Sequence, residues 1–332
     1  MGRQKTLEMV AVGLRGRYTT GVARSVMRRL DRRGFARAAG VAVLAILVAA
    51  CGGGGGGGSK NKNTNRTLAA VTFGNGTFVT VGKEGRIFTS PDAKQFTAQT
   101  SNVTIALNGA TFGAGELVVV GDAGTILTST DGVTWHGETS PTDVSLQSVT
   151  FANATFVAVG YQGTVLTSTD GHAWVPRSTA STTPLHGVGF GDGRFVAVGD
   201  NGQVLTSSDA VTWTAAVSNT SDTLYSVAFG NGVFVFVGGN GVVGRATDPQ
   251  LWSTARQRLA TLGGIIFVQN EFVLVGVGGS IYTAPDAVTF TSRDSKTGED
   301  LRAVAFGNGA FVAVGLDGIV RTSPDAVTWN QP

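Results

Sequence analysis

The stretch LQSVTFANATFVAVGYQGTVLTSTDGHAW, residues 146–174, decides the fold. Two runs, Leu146 to Phe151 and Thr155 to Val159, alternate β-branched or aromatic residues with smaller ones and are separated by Ala152-Asn153-Ala154. A third run, Thr164 to Ser168, follows the turn Gly160-Tyr161-Gln162-Gly163, and a fourth begins at Trp174 after Thr169-Asp170-Gly171. Runs of about five such residues, bounded by turn formers, are the signature of short β-strands. The unit therefore reads as four antiparallel strands.

The unit recurs. Leu68, Leu107, Leu146, Leu185, Leu224, Leu262 and Leu301 open seven copies spaced 39 residues apart, with one step of 38. A period near 40 built of short strands predicts a propeller. The expected class is all-β, a seven-bladed β-propeller with four antiparallel strands per blade and one blade per repeat. Asn75-Gly76, Asp192-Gly193, Asn231-Gly232 and Asn308-Gly309 stand between first and second strands, where a tight hairpin needs positive φ. Third and fifth positions of the first strand are mostly small, whereas fourth and sixth are Val or Ile and Phe, as at Val71 and Phe73. Alternation places these sets on opposite faces of a sheet, so large residues of one blade can meet small residues of the next. Both ends of the array fall at a unit boundary. Each blade is thus expected from one unit, with Trp329 opening the last strand and residues 60–66 left out of blade seven.

The turn between third and fourth strands is the most regular motif. Each copy carries an Asp, namely Asp92, Asp131, Asp170, Asp209, Asp248, Asp286 and Asp325, and an aromatic four residues later. All five tryptophans, Trp135, Trp174, Trp213, Trp252 and Trp329, occupy that place, with Phe96 and Phe290 in the other two copies. The motif resembles the Asp-box, or BNR repeat, of sialidase-type and photosystem-assembly-factor-type propellers, over residues 68–332. The usual pattern is Ser-x-Asp-x-Gly-x-x-Trp; here the Asp-to-Trp spacing is one shorter and Ala often replaces Gly. The resemblance implies a propeller. The arginine-rich patch through which those assembly factors hold partners cannot be traced onto residues of this chain. Seven equivalent turns spread around one rim cannot converge on a metal or substrate, so the aspartates read as structural: each carboxylate accepts turn N–H groups while the ring packs between blades.

Function is expected on the opposite rim, where the copies differ most. The turn between second and third strands carries Lys83-Glu84, Asp122-Ala123, Tyr161-Gln162, Asp200-Asn201, Gly239-Asn240, Val277-Gly278 and Leu316-Asp317. The second position of the innermost strand is Ala69, Asn108, Gln147, His186, Tyr225, Gly263 and Arg302, near the mouth of the central channel. Asn108, Gln147, His186, Tyr225, Arg302, Tyr161 and Asp200 are the candidate ligand or partner surface, either a polar pocket or a solvated rim. The family likeness raises a sialidase-like glycoside hydrolase as the alternative function. That chemistry asks for an arginine triad and a Tyr–Glu pair, or two convergent carboxylates in ordinary glycosidases. Arg86, Arg194, Arg245, Arg302 and Arg321 lie scattered over the blades, the Arg-Ile-Pro motif is missing, and Tyr161, Tyr225 and Tyr282 have no Glu partner in the pattern. His136, His172 and His186 lack metal-ligand spacing, so no metal or cofactor is expected.

Charge divides the chain. Residues 1–51 hold ten of the 25 basic residues and two of the 22 acids, leaving residues 52–332 with a net charge of −5. An acidic body argues against a nucleic-acid partner, which needs clustered Lys and Arg. The leader combines arginines around Arg28 to Arg37, the apolar run Val41 to Ala50, and Cys51. Val48-Ala49-Ala50-Cys51 looks like a bacterial lipobox, with translation expected from Met27. Residues 1–50 are read as an N-terminal extension and lipoprotein signal, 51–66 as the lipidated Cys51 and a Gly/Asn-rich tether, and 67–332 as the propeller. The expectation is a monomeric, non-catalytic platform for an envelope protein or glycan, attached to the outer membrane or cell surface by its lipid.

Overall fold

The computed structural model describes residues 66–332; Cys51, the leader and most of the tether lie outside the described residues. Seven sheets follow one another along the chain, each an antiparallel meander ordered from inner to outer strand. In blade three the strands are Leu146–Ala152, Thr155–Gly160, Val165–Ser168 and Val175–Arg177. Phe156 pairs with Phe151 on one side and Ser168 on the other, which sets the register of the blade. The first hairpin is closed by two left-handed residues, Asn153 and Ala154 here and Asn75 and Gly76 in blade one. Positive φ at both centres matches the strand twist.

Neighbouring blades interlock through the end of the inner strand. A Cβ on Gly113, Gly191 or Gly230 would lie within 2.0 Å of the ring of Phe151, Phe229 or Phe267 in the following blade. The sixth-position Phe of one blade thus seats on the backbone of the blade before it, which is the large-on-small packing the alternation implied. Blade seven meets blade one in the same way, with Phe73 over Gly307 and Asn308 Nδ2 donating to the Pro91 carbonyl at 3.0 Å. Val71, Phe78, Val304, Phe311 and Trp329 share one buried cluster across that seam. The ring is closed by side chains.

Blade seven departs from the four-strand expectation. Its sheet has three strands, Leu301–Gly307, Ala310–Gly315 and Val320–Ser323, and the outer strand is reduced to one bridge, Thr322 with Asn330. In blade three the equivalent ladder runs over Thr167–Val175, Leu166–Pro176 and Val165–Arg177. Pro176 is tolerated at the middle pair, where its nitrogen is not called on to donate. In blade seven Pro332 falls on the next hydrogen-bonding position, where the missing N–H ends the ladder. No strand among the described residues is exchanged into this sheet; residues 60–65, whose pairing would test the expectation fully, lie outside them. Arg321 supplies another tie. It occupies the position held by Leu127, Leu166 and Leu205 in earlier blades and donates through Nε to the Ser295 carbonyl at 3.0 Å and through Nη2 to that of Lys296 at 3.1 Å. Burial lowers the affinity of this guanidinium for its proton.

One irregularity of the inner strand governs the candidate site. Pairing with the second strand slips by one residue at its start: Leu146 faces Gly160 while Ser148 faces Val159, leaving Gln147 as the extra residue of a β-bulge. All seven blades repeat the slip. A bulge re-aims the side chain it inserts. The paired glycine is needed for close approach, because a Cβ on Gly160 would sit 2.2 Å from the Ser145 carbonyl. That carbonyl accepts the Tyr161 N–H at 3.0 Å, which docks the turn after the second strand beside the start of the first.

Candidate functional site

The Asp turns form one rim, built by the same hydrogen bonds in blade after blade. In blade three Asp170 Oδ1 accepts the N–H of His172 at 2.9 Å and of Ala173 at 3.0 Å, and the Ser168 hydroxyl at 2.9 Å. Trp174 Nε1 donates to the Gly171 carbonyl at 2.8 Å while its ring is buried. Backbone N–H donors at Thr134, Ala173 and Thr212 lead the effects that pull Asp131, Asp170 and Asp209 down to about 2, each aided by its Ser hydroxyl. The residue after the Asp is left-handed, Gly132 or Gly171 in two blades and Ala93, Ala210, Ala287 or Ala326 in four. Those four methyl groups are buried, which offsets the backbone cost of Ala there. Blade five differs. Pro249 follows Asp248 and cannot take positive φ, so the carboxylate receives one turn N–H, that of Gln250 at 3.1 Å. In blades five and six Ala246 and Ala284 also replace the Ser donor. These carboxylates are spent on their own turns and face outward separately.

His172, on this rim, is bracketed by Glu138 Oε1 at 2.9 Å from Nδ1 and Glu116 Oε1 at 3.8 Å from Nε2. The Glu138 hydrogen bond raises its proton affinity above that of a free imidazole. His136 is exposed at the start of the outer strand of blade two. No group of three or more potential ligands that could hold a metal is present among the described residues.

On the other rim the bulge brings the second-position side chains of blades two and four beside the first residue of their own turns, fourteen positions later. Asn108 Nδ2 donates to Asp122 Oδ1 at 2.8 Å and to the Leu146 carbonyl of the next blade at 3.0 Å. His186 Nε2 lies 2.9 Å from Asp200 Oδ1, which also accepts the Thr223 hydroxyl at 3.0 Å. Across blades the Tyr161 ring stands edge-on to His186 at 6.2 Å between centroids, and His186 is tilted against Tyr225 at 5.7 Å. Tyr161, Pro184, His186, Asp200, Thr223 and Tyr225 enclose a cavity of about 250 Å³. The Tyr161 hydroxyl is pushed above the ordinary phenol range, first by burial and then by the charges of Asp122 and Asp200.

Four of the seven candidates from sequence, Tyr161, His186, Asp200 and Tyr225, therefore converge. Asn108 is spent tying blade two to blade three. Gln147 is buried in the same arc and its Oε1 has no hydrogen-bond partner. Arg302 stands apart in blade seven, separated from Tyr225 by Gly263 of blade six. Sequence reasoning missed Pro184, Thr223 and Asp122. The recurring separation of fourteen residues, from Asn108 to Asp122 and from His186 to Asp200, was the signal that could have found Asp122. A shallower depression of about 750 Å³ lies along the connectors at Val103 and at Pro141 to Asp143. It draws mainly on one blade and lacks the convergence of side chains from three.

No family model and no curated protein matches the chain. Solved structures do. One of YCF48 bound to a D1 peptide superposes with a TM-score of 0.64 at 18% identity, covering 80% of this chain and 95% of that one. YCF48 from Cyanidioschyzon merolae gives 0.61 at 19% identity over 78% and 95%. The WD40 propeller domain of Doa1 gives 0.59 at 14% over 80% and 97%. At these identities the likeness is one of fold.

Proposed function

We propose that this propeller is a non-catalytic platform that holds a segment of a partner protein across the channel mouth, at the bacterial envelope, anchored through lipid on Cys51. The observation that carries it is the convergence of Tyr161, His186, Asp200 and Tyr225, from three blades, on one small cavity. An exposed aromatic ring, that of Tyr161, backed by the nearly buried rings of His186 and Tyr225 at the mouth of a rigid scaffold, is what a binding site offers. A neighbouring propeller solved with a peptide adds support, as a statement about that protein. The hydrolase alternative draws less support, since Asp200, the one carboxylate lining the cavity, already holds His186 and Thr223, and bond cleavage of that kind takes two carboxylates.

The test is to pan a displayed random-peptide library against the full chain and against the Tyr161→Ala/His186→Ala double variant, with a glycan array and fluorogenic glycosides beside it. Peptides enriched on the parent and lost on the variant are expected. Enrichment indifferent to the variant, binding of glycans alone, or turnover of a glycoside would each overturn the reading. For the anchor, the Cys51→Ser variant should fail to incorporate labelled palmitate and should leave the membrane fraction; incorporation unchanged by the substitution would remove it.

A further inference from the structure

The lining of the cavity carries a narrower inference, which rests on the platform reading. We propose that the space bounded by Tyr161, His186, Asp200 and Tyr225 receives one cationic side chain, a lysine or an arginine, of the bound polypeptide.

Size comes first. At about 250 Å³ the cavity is smaller than the roughly 300–1,000 Å³ of sites for drug-sized ligands. It fits one side chain. The exposed ring of Tyr161 offers a negative face of the kind that attracts an ammonium or guanidinium, and the nearly buried ring of Tyr225 completes the wall. Asp200 contributes a full charge. His186 and Thr223 both bond to its Oδ1, and its side chain stays 34% exposed, so Oδ2 is left to accept a charge-assisted bond.

The surroundings agree in sign. Burial does most to raise the proton affinity of the Tyr161 phenol, and the charges of Asp122 and Asp200 add to it; those two charges are what would draw a cation. Connectors 100–106, 139–145, 178–184 and 217–223, and turns 122–125, 161–164, 200–203 and 239–241, contain Asp122, Asp143, Asp200 and Asp222 and no Lys or Arg. Of these Asp222 is already neutralised, bound bidentately by Arg256 at 2.9 Å to each oxygen. Asp122, Asp143 and Asp200 remain on an arc of one sign, and a cation is what such a surface selects.

The experiment titrates the full chain with short blocked Gly/Ser peptides carrying one central arginine, lysine, citrulline or glutamate, followed by calorimetry and by NMR of the Tyr and His rings. Arginine and lysine peptides should perturb the Tyr161, His186 and Tyr225 rings saturably, with affinity falling as salt rises; citrulline and glutamate peptides should not. Asp200→Asn and Tyr161→Ala should each weaken binding by about tenfold or more. Asp192→Asn removes one charge from the opposite rim and should leave affinity unchanged, separating local recognition from net charge. Citrulline binding as well as arginine, or Asp200→Asn matching the parent, would overturn the proposal. Panned peptides that need Tyr161 and His186 but carry no basic residue would sink it while leaving the platform reading intact; loss of all pocket-dependent peptides would remove both.

Discussion

The two rims of the ring are made from the same seven repeats yet behave as different materials. On the Asp rim a Ser-x-Asp turn closed by an aromatic recurs with few changes, and the recurring groups of the motif are consumed by their own turn: Asp170 takes two N–H groups and a hydroxyl, and Trp174 gives its N–H to Gly171. On the channel rim the second strand position holds seven different residues and the first turn position six, and bonds there reach across blades, as Asn108 does to Leu146 and Thr223 to Asp200. Repetition marks the positions that must satisfy the backbone. Variation marks the positions that the backbone leaves free, and those are where recognition can be written.

The largest test of that division is Trp174→Ala, which empties a buried site beside Phe156 and should cost about 3–5 kcal/mol in denaturant unfolding. Peptide affinity measured well below the melting temperature should stay unchanged. Asp170→Ala should cost about 1 kcal/mol by unpairing two turn N–H groups. The same carboxylates predict an acid limb. Asp131, Asp170 and Asp209 sit near 2 when folded against 3.8 for a free aspartate side chain, so their stabilisation is complete above about pH 4. It is lost as pH falls from there toward 2, because the unfolded chain binds the protons first. Urea melts across that range should therefore slope upward with pH, less steeply for Asp170→Ala; an equal slope would place the acid limb elsewhere.

Ala284→Ser sharpens the comparison in the other direction. It returns to blade six the hydroxyl that Ser168 and Ser207 direct at Asp170 and Asp209 at 2.9 Å, and should add about 0.5–1 kcal/mol. The smallest effect on stability belongs to Tyr161→Ala, which trims an exposed side chain of the channel rim. Unfolding should shift by less than about 0.5 kcal/mol while ligand binding collapses. A Tyr161 variant that unfolds early would mean that the channel rim, too, is structural.

The blades were readable from sequence because a strand advertises itself by its period, and a turn by its chemistry. Asn153 and Ala154 at the hairpin and the carboxylate of Asp170 on its turn lie where the pattern put them. Two things were harder to read. Pro332 sits where the outer ladder of blade seven needs an N–H, a defect visible only once the register is known. At the candidate site, the side chains meet through the bulge at Asn108, Gln147, His186 and Tyr225. One inserted residue breaks the count of two on which strand reading depends, so the approach of His186 to Asp200 comes from a three-dimensional slip, whereas Arg302, with the same slip, stands apart because it lies three blades on.

The seam between blades seven and one turns that defect into a matter of time. Phe73 seats on Gly307 as its counterparts do at the other seams, but the outer edge of blade seven is pinned by the single pair Thr322–Asn330, and Arg321 ties that blade back only to the connector from blade six. Amide protons along Val320 to Ser323 should therefore exchange with solvent sooner than their counterparts along Val165 to Ser168. The ring then has a preferred place to breathe, on the side of the circle away from His186 and Asp200, so opening there leaves the acidic mouth assembled.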